Sequence, residues 1–323
     1  AWANRSSAQG QYSVCFGDEN VASGTNAVVL GSEESTASGN RATVLGSYQS
    51  TASAGFHSTV IGSGTGCVAN NTCSTVIGGF QEGVANGISS IAGGYQSRCM
   101  GNYSIAFGYR ARCDESDGFV FGSTNQILDG GSYSGIMAGN QCKIFGDYSF
   151  IGGGLLNEVE STAIYSGVVG GRQNECFGDY GFIGGGYFND LESQSFGGGM
   201  VGGYANSLEA DYSFIGAGQF NFIDDTSFAS GIIGGYDNDI FGDYDFIGGG
   251  RFNRITNTGA AYSTIVGGSE HLINHNSGDY SGIFAGYGIL LQSGRSAAIA
   301  GGGNKLYDSA FQSALIGGDS NFV

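Results

Sequence analysis

The sequence predicts an all-β fold, a parallel β-solenoid or β-roll, and three observations predict it. The first is a repeated signature, a large apolar residue followed by Gly or Ala. It occurs at Phe16, Leu30, Leu45, Ile61, Ile77, Ile91, Phe107, Phe121, Met137, Ile151, Val169, Ile183, Val201, Ile215, Ile233, Ile247, Val266, Phe284, Ile299 and Ile316. Successive spacings run from 14 to 19 residues, too short for a helix pair, and no 3.6-residue pattern accompanies them. The second is glycine, 63 of 323 residues, with no proline at all. A proline would remove a ladder hydrogen bond wherever it fell in a coil, and its absence also excludes collagen. The third is a hydrophobic content of 41%, which excludes a disordered glycine linker.

Each repeat holds two strands of about four residues and two turns, one coil of a solenoid. The strand reads small, apolar, apolar, glycine, as in Ser149–Phe150–Ile151–Gly152. The apolar residue before the glycine is expected to point inward and stack on its equivalents at about 4.8 Å. The glycine then turns the chain with φ > 0 or admits a neighbouring backbone. Twenty such coils would extend about 95 Å.

Taken in order, residues 1–15 read as an N-terminal attachment segment and 16–145 as coils of 14–16 residues. Residues 146–266 carry a 32-residue two-coil super-repeat, and 267–323 form irregular C-terminal coils. The super-repeat shows in Asp147, Asp179, Asp211 and Asp243, each followed by Tyr, and in Phe150, Phe182, Phe214 and Phe246. Asparagine recurs once per coil at Asn157, Asn174, Asn189, Asn206, Asn221, Asn238 and Asn253, with an apolar residue two places on. Asparagine tolerates left-handed turns and its amide can bond to the copy above, so the seven read as a structural ladder.

Charge restricts the partners. Eleven Lys and Arg against 28 Asp and Glu give −17, a balance that repels phosphate backbones and predicts no nucleic-acid partner. No apolar run approaches the roughly 20 residues of a membrane-spanning helix, so no membrane span is predicted.

The run Ala22–Ser23–Gly24–Thr25–Asn26–Ala27–Val28–Val29–Leu30–Gly31 resembles the head repeats of trimeric autotransporter adhesins of the YadA type. The motif Tyr148–Ser149–Phe150–Ile151–Gly152–Gly153–Gly154 followed by Asn157 is similar to repeats of phage tail fibres and related trimeric surface fibres. The resemblance implies a left-handed parallel β-roll and a homotrimer, on a cell or virion surface or otherwise extracellular. The 22 Phe and 18 Tyr exceed what a narrow roll can enclose. Packing three rolls together would bury the excess, with Phe150, Phe182, Phe214 and Phe246 as the seam.

Candidate sites follow from residue type and position. Seven cysteines suggest an oxidising setting, and no C-x-x-C spacing points to zinc. Cys67 and Cys73 fall in one coil and Cys99 and Cys113 one coil apart, so both pairs could bridge turns as disulfides. Asp147, Asp179, Asp211 and Asp243 read as turn residues, with a weak Ca²⁺ column as the alternative. His57, His271 and His275 form no ligand pattern, and the adjacent acids Asp224–Asp225, Glu33–Glu34 and Asp114–Glu115 read as solvated turns. Sequons stand at Asn4, Asn70 and Asn102. Neither a cofactor nor a catalytic residue is predicted. The expected function is a structural fibre or adhesin subunit whose partners are further copies of itself, as a homotrimer or end to end in a filament, and a cell-surface glycan or protein receptor. The alternative is a carbohydrate-degrading β-helical tailspike.

Overall fold

The computed structural model describes residues 3–53, 55–62, 64–256, 262–274, 280–292, 297–298, 300–307 and 312–323. The chain forms two compact units, Ala1–Leu156 and Asn157–Val323. Among the described residues there is no helix, and so none long and apolar enough to cross a membrane.

Each unit is a parallel β-solenoid with two ladders. In the first unit the first ladder runs from Ala3–Asn4 to Phe150–Ile151 and the second from Ser7–Ala8 to Lys143–Ile144. In the second unit they run from Gly167–Val168 to Ala314–Leu315 and from Glu158–Val159 to Lys305–Leu306. Every strand pairs in parallel with its equivalent one coil away, as in Ile91–Ile105–Phe119 and Phe182–Gly199–Phe214.

Second-unit strands are only two residues long, such as Phe214–Ile215 and Phe222–Ile223, against the four expected. Residues in left-handed backbone at both turns cut them short: Tyr212 (φ 50°) and Phe220 (φ 57°) flank Phe214–Ile215. Such conformations cost a bulky residue on the order of 1–2 kcal/mol. The geometry persists because each turn residue donates its N–H to the coil before, Tyr212 to Phe196 O at 2.8 Å and Phe220 to Tyr204 O at 3.0 Å.

The inward residue is not always the one before glycine. At Ile151, Ile183, Ile215 and Ile247 it is, and these are fully buried. At Phe16, Leu30, Ile61, Ile77, Phe121, Met137, Val169, Val201, Ile233, Val266, Phe284 and Ile316 the signature residue is exposed. In the second unit the residue before it points inward instead, as Val168, Met200, Ile232, Ile265 and Ile283 show. Ile299 lies outside the described residues. Adjacent residues of a strand face opposite sides, so two neighbouring apolar residues look alike in sequence although only one enters the core. From Asn157 to Asn253 the true repeat therefore alternates 17 and 15 residues, as the Asn-to-Asn bonds also do, and the next two coils take 18.

The interior is two apolar rows wide, closed at each turn by a polar ladder. In the second unit one row is Val168, Ile183, Met200, Ile215, Ile232 and Ile247, and the facing row includes Val159, Cys176, Leu191, Leu208, Ile223 and Ile240, all fully buried. The rows of the first unit are slimmer, with Val29, Val44, Val60 and Val76 in one and Ala22, Ala37, Ala52, Ala69 and Ala85 in the other. Beside the apolar rows runs the asparagine ladder. Asn189 donates from Nδ2 to Asn174 Oδ1, Gly185 O and Gly203 O at 3.1, 3.0 and 3.1 Å. Its Oδ1 accepts the backbone N–H and the amide of Asn206 at 3.2 and 3.0 Å. The seven ladder asparagines have no positive φ. The left-handed position belongs to the residue before, Phe188, Ala205 or Phe220 for example, so asparagine serves here as a hydrogen-bonding bridge and not as a turn former.

Candidate functional site

The outer surface of the second unit sorts into faces because the coil repeats in register. On the first ladder the two positions flanking the inward residue alternate between large and glycine. Phe182, Gly199, Phe214, Gly231 and Phe246 follow one another in one column, while Val201 and Ile233 fill the other column in the intervening coils. Each coil thus offers one outward apolar side chain, and these are 38–56% exposed. The four predicted seam residues Phe150, Phe182, Phe214 and Phe246 are all among the exposed residues.

Aromatic columns occupy both turns. On one side Tyr165, Tyr180, Phe196, Tyr212, Phe228, Tyr244, Tyr262 and Tyr280 follow each other with centroids 5.0–5.6 Å apart. On the other run Tyr187, Tyr204, Phe220, Tyr236 and Phe252 at 5.3–5.6 Å. Backbone conformation decides how the rings meet. Tyr165 and Tyr180 both sit on left-handed residues and stack at 17°. Where Gly197 or Ala229 takes the left-handed position, the preceding Phe196 or Phe228 supplies the ring, and it meets Tyr212 edge to face at 67°. Each such contact contributes about 0.5–1.5 kcal/mol, which offsets the turn strain.

The second ladder of the same unit is acidic outside. Glu158, Glu175 and Asp190 are register neighbours, and Glu160, Glu192, Glu209 and Asp224 project just beyond the inward residues. Burial, then the neighbouring Glu175 and Glu192, push the Asp190 carboxyl up to about 6. Burial and Glu158 likewise raise Glu160, and burial with Asp224 raises Glu209. A carboxyl whose folded pKa is raised favours folding below its unfolded value near 3.9 and loses that contribution as pH rises through about 6. Asp190→Asn is therefore expected to stabilise the protein at pH 7 by about 1 kcal/mol, discounted because the group is partly solvated. Comparing thermal unfolding of the two proteins at pH 4 and pH 7 tests this: the gain should vanish at pH 4.

The aspartates read as turn residues, with a calcium column as the alternative, are spaced along the solenoid. Asp179 and Asp211 stand two coils apart, about 10 Å by strand spacing, too far to share an ion. Asp147, Asp179 and Asp211 instead accept the backbone N–H of Ser132, Ile164 and Phe196 at 2.7–2.8 Å, each tying its turn to the coil before. Three other carboxylates come closer: Glu209, Asp224 and Asp225 have oxygens within 4.8 Å of one another. Oxygen donors of this kind suit a hard divalent cation, but Asp224 already accepts from the Thr226 hydroxyl at 2.6 Å and Asp225 is exposed.

The seven cysteines stand as thiols. Cys67 is buried, whereas Cys73 is exposed on a left-handed turn residue. Cys99 and Cys113 are direct register partners. His57 is exposed beside Arg41 at 3.2 Å, and His275 lies outside the described residues. His271 was not legible as a structural residue. It takes an asparagine's place in the ladder, its N–H donating to Asn253 Oδ1 at 3.1 Å and its Nδ1 accepting from Ile289 N–H at 3.2 Å. Burial lowers its pKa. The sequon residues Asn4, Asn70 and Asn102 are exposed.

Two stacked ladders around a two-row interior, with outward apolar and aromatic columns, define a parallel β-solenoid. The YadA head domain repeat matches the chain in two copies, at residues 8–33 and 85–111. These stretches of the first unit are similar to YadA-type head repeats. They contain the strands Val14–Asp18, Val28–Glu33, Ile91–Tyr95 and Ile105–Tyr109. No curated protein matches the chain.

Proposed function

We propose that the chain is part of the head of an extracellular or cell-surface adhesin that acts as a homotrimer, with no catalytic role of its own. The observation that carries this reading is the outward apolar row of the first ladder. Phe182, Val201, Phe214, Ile233, Phe246 and Val266 are all exposed in a single solenoid, whereas a protein standing alone in water rarely leaves so continuous an apolar strip uncovered. Three copies packed along that strip bury it and leave the acidic second ladder facing water. The aromatic columns then lie at the margins of the packed face. There the rings can receive the apolar faces of sugar rings, and a neutral cell-surface glycan is the receptor that an acidic surface tolerates best.

Native mass spectrometry tests the assembly. The expected result is a species of three chains, converted to a folded 33.0 kDa chain by Phe214→Asp, whose side chain faces outward and so leaves the interior unchanged. A wild-type protein that remains a folded single chain at micromolar concentration would overturn the reading.

A further inference from the structure

Cys99 and Cys113 are the one pair of cysteines among the described strands that face each other in register. Both are fully buried and both occupy the inward position of the second ladder. Their strands are adjacent, and a parallel spacing of about 4.8 Å places the Cα atoms within the range a disulfide spans. The first ladder of the same coils contributes Ala92 and Ala106 to the interior, so small side chains leave space for two sulfurs. Ser104 Oγ lies 3.0 Å from Cys99 Sγ. The next coils place Ala85 and Ile127 in this row, and no third thiol competes there.

We propose that Cys99 and Cys113 are a built-in cross-linking site, joined by a disulfide when the chain folds in the presence of a small disulfide oxidant such as glutathione disulfide. In the first step Cys99 Sγ, as thiolate, attacks one sulfur of glutathione disulfide. A mixed disulfide forms and one glutathione thiolate leaves. Cys113 then loses its proton to solvent and attacks Cys99 Sγ, which releases the second glutathione thiolate. Two protein thiols are oxidised and one glutathione disulfide is reduced to two thiols. In the folded protein both sulfurs are shielded, so the bond forms during folding or through local opening of the coil. It ties one coil to the next at a place where each coil otherwise touches only its neighbours.

The test is refolding of the full chain from urea in a glutathione redox buffer, followed by alkylation of free thiols and tryptic digestion without reduction. The expected product is a peptide starting at Cys99, after cleavage at Arg98, linked to one starting at Cys113, after cleavage at Arg112. The link should persist in Cys142→Ser, which removes the other cysteine of the second peptide, and vanish in Cys99→Ser. Oxidation should raise the unfolding midpoint of the wild-type protein by about 5 °C and leave that of Cys99→Ser unchanged. Recovery of Cys99 and Cys113 both alkylated after oxidative refolding, or of either one linked to a different cysteine, would overturn the proposal.

Discussion

Asn189→Ala is expected to cost about 2–3 kcal/mol, the loss that follows when buried backbone groups are left without partners. The side chain is fully buried and bridges three coils. Truncation orphans the carbonyl of Gly185 and the N–H of Asn206, and it takes one of two donors from Gly203 O, which keeps the Tyr187 N–H. Hydrogen exchange locates the damage: the Asn206 amide should lose protection most, with the effect fading over neighbouring coils, since a solenoid transmits stability only between nearest neighbours. Asp179→Ala is expected to cost only about 1 kcal/mol, because it releases a single N–H, that of Ile164, in an exposed turn. If Asp179→Ala unfolded the protein more than Asn189→Ala did, the ladder would not be the main polar support of the coil.

Gly203→Ala should be worse than either, costing more than about 4 kcal/mol. Gly203 has φ +110°, outside the regions an L side chain adopts readily, and an added Cβ would lie 2.3 Å from Gly218 O and 2.4 Å from Asn206 Nδ2. Neither atom can give way, since Gly218 O belongs to the next coil's backbone and also accepts the Asn206 amide at 3.2 Å. The glycine three residues before each asparagine and the asparagine itself are thus one device: the missing side chain makes room for the amide of the ladder. Urea unfolding followed by local hydrogen exchange checks this. By contrast, Gly185→Ala meets no atom closer than 3.9 Å and should be tolerated. Equal effects at the two glycines would refute the coupling.

Much of this architecture was legible because a solenoid writes its period directly into the sequence. The apolar residues two places after the asparagines, such as Leu191 and Ile223, lie in the interior. What failed was the facing of the first ladder at Val168–Val169 and its equivalents, where hydrophobicity is the same for the inward and the outward residue. The aromatic columns were hidden for another reason. They place Tyr and Phe in left-handed backbone, against their intrinsic preference, and only the stacked neighbours and inter-coil bonds make that affordable. His271 was obscured because its role depends on standing where an asparagine would stand, not on any property of histidine.

By itself the sequence determined the coil. A fixed repeat, abundant glycine and no proline permit one low-energy arrangement, strands stacked in parallel on their own copies, because each repeat can bury its apolar residues only against the next. Tertiary structure decided which of two adjacent apolar residues enters the core, which carboxylates crowd one another, and which two of seven cysteines become neighbours. Those outcomes depend on the phase of the coil, set by left-handed turns whose strain is balanced between coils, and a balance between coils is not contained in any single repeat.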